Sequence, residues 1–93
     1  MAIVEIWAPP GFWGAYADLR SHTGGSRSYT VNFNTVSGSS TFDAEIEYVD
    51  AGGLEKVLRA GPGSYTIHSS GGAGTDRIRC RSHSLGQTIR VTF

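Results

Sequence analysis

The groups best able to act as base, nucleophile or metal ligand near neutral pH are His22, His68, His83 and the single cysteine, Cys80. They are scattered along the chain. A serine hydrolase needs an oriented hydroxyl beside a histidine that is itself held by an acid, and no nucleophile-elbow pattern surrounds any serine here. The carboxylates Asp43, Glu45 and Glu47 alternate along one segment, whereas a general acid–base pair faces its partner across a cleft. Gly71-Gly72-Ala73-Gly74 lacks the Lys-Ser/Thr that completes a phosphate-cradling loop. Zinc asks for several convergent ligands, which one Cys and three dispersed His do not supply. We therefore expect no catalytic residues, no metal site and no cofactor. Cys80 is expected to act as a small buried hydrophobe.

Charge is more organised than reactivity. Arg77, Arg79 and Arg81 recur at every second residue, with Arg90 on the following segment, and Asp43, Glu45 and Glu47 form an acidic stripe of the same period. If the two stripes lie on neighbouring strands they neutralise each other as exposed ion pairs; this is the expectation we favour. If they lie on different sheets, one copy's basic side could meet another's acidic side. Contact with nucleic acid requires aromatic rings between the basic residues. None lies between these arginines in the sequence, so nucleic acid is not expected as a partner.

Four aromatic residues, Trp7, Phe12, Trp13 and Tyr16, surround the stiff Pro9-Pro10-Gly11. They could close one end of the core. They could also form an exposed platform that anchors a protein interface or stacks on sugar rings. Four rings in ten residues are hard to bury in one small core, so at least one is expected in solvent.

The elements that must position these groups follow from alternation with period two. Segments Ala2–Trp7, Tyr16–Arg20, Ser28–Asn34, Thr41–Val49 and Ser64–Ser69 read as strands, separated by Gly-, Pro- and Ser-rich turns that include Ser21–Arg27 and Ser37–Ser40. Asp50-Ala51-Gly52-Gly53 reads as a hairpin loop. Leu54–Ala60 has helical spacing available, but one or two isolated turns are marginal, and an edge strand is expected. Asp76–Phe93 reads as a C-terminal hairpin with one apolar and one basic face, preceded by a loop at Ser70–Thr75. The fold expected is all-β: one domain, residues 1–93, forming a small two-layer antiparallel sandwich of seven or eight short strands, immunoglobulin-like or jelly-roll-like. Its interior should contain Val31, Phe33, Ile46, Tyr48, Ile67, Ile78, Ile89 and Val91. The motif R-S-H-[TS]-x-G occurs twice, at Arg20–Gly25 and Arg81–Gly86; similar turn chemistry accounts for it, and an ancient duplication or a paired-histidine site at one end of the sandwich is the sharper alternative.

Eight basic and eight acidic residues cancel, which argues against binding to polyanions through overall charge. The start of the chain lacks a basic n-region before its apolar run, and no stretch is long and apolar enough to cross a membrane as a helix. Synthesis in the cytoplasm, with later incorporation into a particle as one route, is the expectation. Together these features point to a non-catalytic structural or interaction module that packs against protein subunits as a homo-oligomer or in a larger assembly, such as a virion decoration or cement protein or a filament subunit. A carbohydrate-binding module using the N-terminal aromatic stretch, with glycans as partners, is the alternative.

Overall fold

The computed structural model describes residues 1–36 and 41–93; the loop expected at Ser37–Ser40 lies outside the described residues. Eight strands follow in order: β1 Ile3–Ala8, β2 Ala17–Thr23, β3 Arg27–Thr35, β4 Phe42–Asp50, β5 Gly53–Gly61, β6 Gly63–Ser69, β7 Ala73–Ser82 and β8 Gln87–Thr92. They form two four-stranded antiparallel sheets, ordered β1-β8-β3-β6 and β2-β7-β4-β5. The pairs β4·β5, β3·β6, β2·β7 and β1·β8 nest around the β4–β5 turn. The chain is thus one long hairpin wound over itself, which is the jelly-roll arrangement. The immunoglobulin order is not the one found.

This winding corrects the expected C-terminal hairpin. β7 pairs with β2 and β4, whereas β8 pairs with β1 and β3. The connection between them therefore crosses from one sheet to the other. Ser82 donates its hydroxyl to the Leu85 carbonyl and accepts from the Gln87 amide, holding that crossing. The apolar faces of β7 and β8 meet across the core instead of lying side by side. Alternation dictates which face of a strand is apolar, but not which sheet receives it.

Val31, Phe33, Ile46, Ile67, Ile78, Ile89 and Val91 are completely buried, and Tyr48 is half-buried against them. Phe42, Ala44, Leu19, Ile6, Ala8 and Cys80 complete the interior. Phe33 from one sheet meets Phe42 from the other edge-on, with ring centroids 6.2 Å apart. Gly61 lies opposite Phe42 on the neighbouring strand, and a Cβ there would come within 2.3 Å of the Phe42 ring. Burial raises the Cys80 thiol to about 12, so it stays protonated and inert.

Two segments differ from the sequence expectation in extent. β2 continues through Thr23, where turn chemistry was read, and β7 starts at Ala73, inside the expected loop. The reason is a bulge: Asp18 pairs with Arg77 and Ser21 with Thr75, so β2 carries one more residue than β7 between those points. The extra residue breaks strict alternation and lets both Leu19 and His22 turn inward. Leu54–Ala60 is within a strand, as expected, because β4 offers it a full ladder.

Candidate functional site

The acidic and basic stripes lie on the neighbouring strands β4 and β7, with Asp43 opposite Arg81, Glu45 opposite Arg79 and Glu47 opposite Arg77. Each pair is joined by ion-pair contact, at 2.7 Å for Arg81–Asp43 and 3.0 Å for Arg79–Glu45. Lys56 on β5 reaches Glu47 from the other side at 3.8 Å. The charges of these two stripes are thus paired within the chain. Arg90 is not part of this stripe. It lies on the outer face of the other sheet, paired with Glu5 of β1.

These carboxylates were expected to be exposed, yet Glu45 and Glu47 are only 7% and 4% exposed. The cover is the segment between β1 and β2. Gly11 and Gly14 donate backbone hydrogen bonds to Ser82 and Cys80 of β7, and Ser82 donates to Pro9. Gly14 is needed there, because a Cβ would meet the Trp7 carbonyl at 2.5 Å. Anchored this way, Trp13 and Tyr16 fold over the arginines. Arg77 and Arg79 lie 4.1 and 4.7 Å from the Tyr16 ring, and Arg79 and Arg81 lie 5.1 and 4.5 Å from the Trp13 ring. The result is an alternating ladder, Arg77–Tyr16–Arg79–Trp13–Arg81, of cation–π contacts. The aromatic rings absent from between the arginines in sequence are therefore supplied in space by another segment.

The electrostatics follow from this cover. Burial alone would raise the Glu45 carboxyl, but hydrogen bonds from Arg79 and from the Tyr16 hydroxyl outweigh it and hold Glu45 below its usual value. Asp43 is lowered by its hydrogen bond to Arg81, with His83 adding to the effect. Arg77 and Arg79 are raised, chiefly by hydrogen bonds to Glu47 and Glu45 respectively. Tyr16 is raised by burial and by its bond to Glu45.

The histidines do not converge. His22 on β2 contacts Asp76 through Nε2 at 2.7 Å, and His83, past the end of β7, contacts Asp43 at 2.9 Å and the Thr41 hydroxyl at 2.7 Å. His22 and His83 therefore sit at opposite ends of β7, so the repeated R-S-H motif does not build a shared site. His68 meets the Ser28 hydroxyl on the outer face of the first sheet. Asp76 was not singled out from the sequence. It is fully buried, accepts from the Tyr29 hydroxyl and His22 through one oxygen, and accepts from the Val49 amide through the other. It thereby ties β2, β3, β4 and β7 together across both sheets. Its inward parity with Ile78, Cys80 and Ser82 was the available sequence signal, since a buried acid must find partners.

The other two aromatics of the N-terminal stretch face solvent. Trp7 is 58% and Phe12 is 65% exposed. The Trp7 indole rests against Gly86, which Pro10 also approaches: a Cβ on Gly86 would lie 2.5 Å from the ring and 3.3 Å from Pro10. Thr88 and then Val36 continue the row from Trp7 across the sheet. Val36 is exposed, and so is Leu85 in the β7–β8 connection. Exposed apolar side chains therefore lie at Trp7 and Val36 along one row and at Leu85 in the β7–β8 connection next to Gly86. Beside that row, Asn32, Asn34, Thr35, Arg90 and Thr92 line a shallow concavity of about 240 Å³.

Comparison of the chain with known families, curated proteins and solved structures found no match. Among the described residues no helix is long and apolar enough to cross a membrane.

Proposed function

We propose that this chain is a non-catalytic interaction module that packs against other protein subunits in an assembly. The observation that carries the reading is the exposure of the apolar side chains of Trp7, Val36 and Leu85. Exposed apolar patches rimmed by polar residues mark contact sites on soluble proteins, and an exposed Trp is a common anchor of such contacts. The ion-pair ladder and the Asp76 cluster support the reading from the other direction. Their polar groups are engaged with one another and act to stiffen the sandwich, which lowers the entropy cost of presenting a surface. Jelly rolls occur in capsid and in lectin domains alike, so particle decoration and filament assembly are both compatible settings.

A second reading rests on the neighbourhood of Trp7. An exposed indole beside the amides of Asn32 and Asn34 and the Arg90–Glu5 pair offers a stacking surface and hydrogen-bonding groups, as a neutral oligosaccharide would require.

Light scattering across a concentration series tests the first reading. The wild-type chain should show a mass above the 9.9 kDa of a single copy. The variant carrying Trp7→Ser and Leu85→Ser should associate less while keeping the strand signature of the folded chain in circular dichroism. A wild-type protein that stays monomeric throughout, with tryptophan fluorescence that responds to oligosaccharide, would move the surface to the second reading.

A further inference from the structure

The edge of β5 is the longest strand edge among the described residues. β5 is the last strand of its sheet and, among the described strands, pairs only with β4. Its ladder with β4 runs unbroken from Gly53 to Gly61, with no bulge. Every residue from Gly53 to Ala60 is exposed except Val57, which is half-buried. β2, the edge at the other side of the sheet, is bulged, and the edge strands of the other sheet, β1 and β6, are shorter. A long straight edge whose backbone faces no other strand is a template for one; here the Leu58 carbonyl is held by the Arg59 guanidinium in the single copy. Leu54 and Leu58 lie exposed on its outer face.

Its residue order selects the partner. Two copies of β5 related by a two-fold axis normal to the sheet pair antiparallel, and residues of the same face must then meet. The register with the greatest overlap centres on Val57 and matches Gly53 with Gly61, so all nine residues take part. In that register Val57 meets Val57, Lys56 meets Leu58, Leu54 meets Ala60, and Glu55 meets Arg59, the last pairing occurring twice. Glu55 and Arg59 have no ion-pair partner of opposite sign among the described residues, although Lys56 between them does. Arg59 instead lies over the Tyr65 ring at 4.8 Å and donates to the Leu58 carbonyl at 2.8 Å, and pairing with Glu55 of a second copy exchanges the carbonyl contact for a carboxylate. Sliding the register one way by two residues places Lys56 on Lys56; sliding it the other way places Glu55 on Gly61. Overlap and charge therefore favour the same alignment.

We propose that β5 mediates a two-fold dimer by antiparallel β5–β5 pairing centred on Val57, joining two four-stranded sheets into one of eight strands. This rests on the interaction-module reading and names a second copy of this chain as the partner. Glu55 of each copy meets Arg59 of the other, so like charges at both positions destabilise the pair and opposite charges restore it.

Sedimentation of the full chain at low ionic strength tests this with three samples. Wild type should dimerise. Glu55→Arg alone and Arg59→Glu alone each place two like-charge contacts in the dimer and should weaken association about tenfold or more. An equimolar mixture of the two variants makes every contact complementary again and should recover a one-to-one heterodimer, identified by a mass tag on one variant. Unfolding midpoints near wild type show that both variants fold, and the mixture is informative even if each variant alone is monomeric. A mixture that associates no better than its components overturns the proposal. Wild-type association that neither substitution changes overturns β5 pairing and leaves the interaction-module reading standing. A wild type that is monomeric at all concentrations overturns self-association itself.

Discussion

Replacing Arg79 by Ala probes the covered ladder at its centre. Arg79 bonds Glu45 at 3.0 Å and lies over both the Trp13 and Tyr16 rings. Its removal leaves Glu45, 7% exposed, without its cation. Breaking a buried pair from one side costs about 3–5 kcal/mol, because the remaining charge is uncompensated. Two features reduce this cost: the Arg79 side chain is itself 26% exposed, so water can enter, and the Tyr16 hydroxyl still serves Glu45. Loss of the ring contacts adds about 0.5–1 kcal/mol. A net loss of about 3 kcal/mol follows, within a total stability of roughly 5–14 kcal/mol for a domain of this size. It should lower Tm by roughly 12–24 °C. Urea unfolding at neutral pH measures it, with Arg90→Ala as the reference, because the Arg90–Glu5 pair is about half exposed and is worth about 0–1 kcal/mol. The double variant Arg79→Met with Glu45→Leu should recover most of the loss, since apolar groups of similar size can replace a desolvated pair. Without Arg79, burial acts on Glu45 with less opposition, so the deficit of Arg79→Ala should shrink as acid protonates that carboxyl. An Arg79→Ala variant no less stable than Arg90→Ala would refute the argument that cover by Trp13 and Tyr16 makes this ladder a stabilising element.

Stability should decline on both sides of neutrality. Asp43 and Glu45 are lowered in the folded chain, so their contribution is complete above the unfolded carboxylate range, about pH 4–4.5, and is lost as pH falls further. Tyr16, Tyr29 and Tyr48 are raised, burial being the first cause of each, and Cys80 is raised to about 12. Their protonated forms favour folding, and that contribution is lost as pH rises through about 9–10, where the unfolded groups ionise; urea midpoints across pH measure both limbs, and a midpoint independent of pH from 3 to 11 would contradict them. Gly61→Ala forces a Cβ to within 2.3 Å of the Phe42 ring and should cost about 1–3 kcal/mol. Gly52→Ala, with nothing within 4 Å of its added Cβ, should leave the unfolding midpoint nearly unchanged.

Alternation along the chain was sufficient to read the strands, their inward faces and seven of the eight interior residues named from sequence. Burial of apolar side chains on a pleated strand is a local, periodic requirement, and one sequence displays it. The same logic established that the acidic and basic stripes share a period. What it could not supply was the partner of each strand. β7 and β8 read as a hairpin and are placed in opposite sheets, because inward-facing residues on two strands look the same whether the strands adjoin or face each other across the core. The bulge that turns His22 toward Asp76 was illegible for a related reason: one extra residue resets the phase, and only the partner strand reveals it. The cover over Arg77, Arg79 and Arg81 comes from residues more than sixty positions away in the chain. Trp13 and Tyr16 were visible as aromatic side chains, but their place over the guanidinium groups depends on backbone bonds from the Pro9–Gly14 segment to Ser82 and Cys80 of β7, a long-range pairing that alternation does not display.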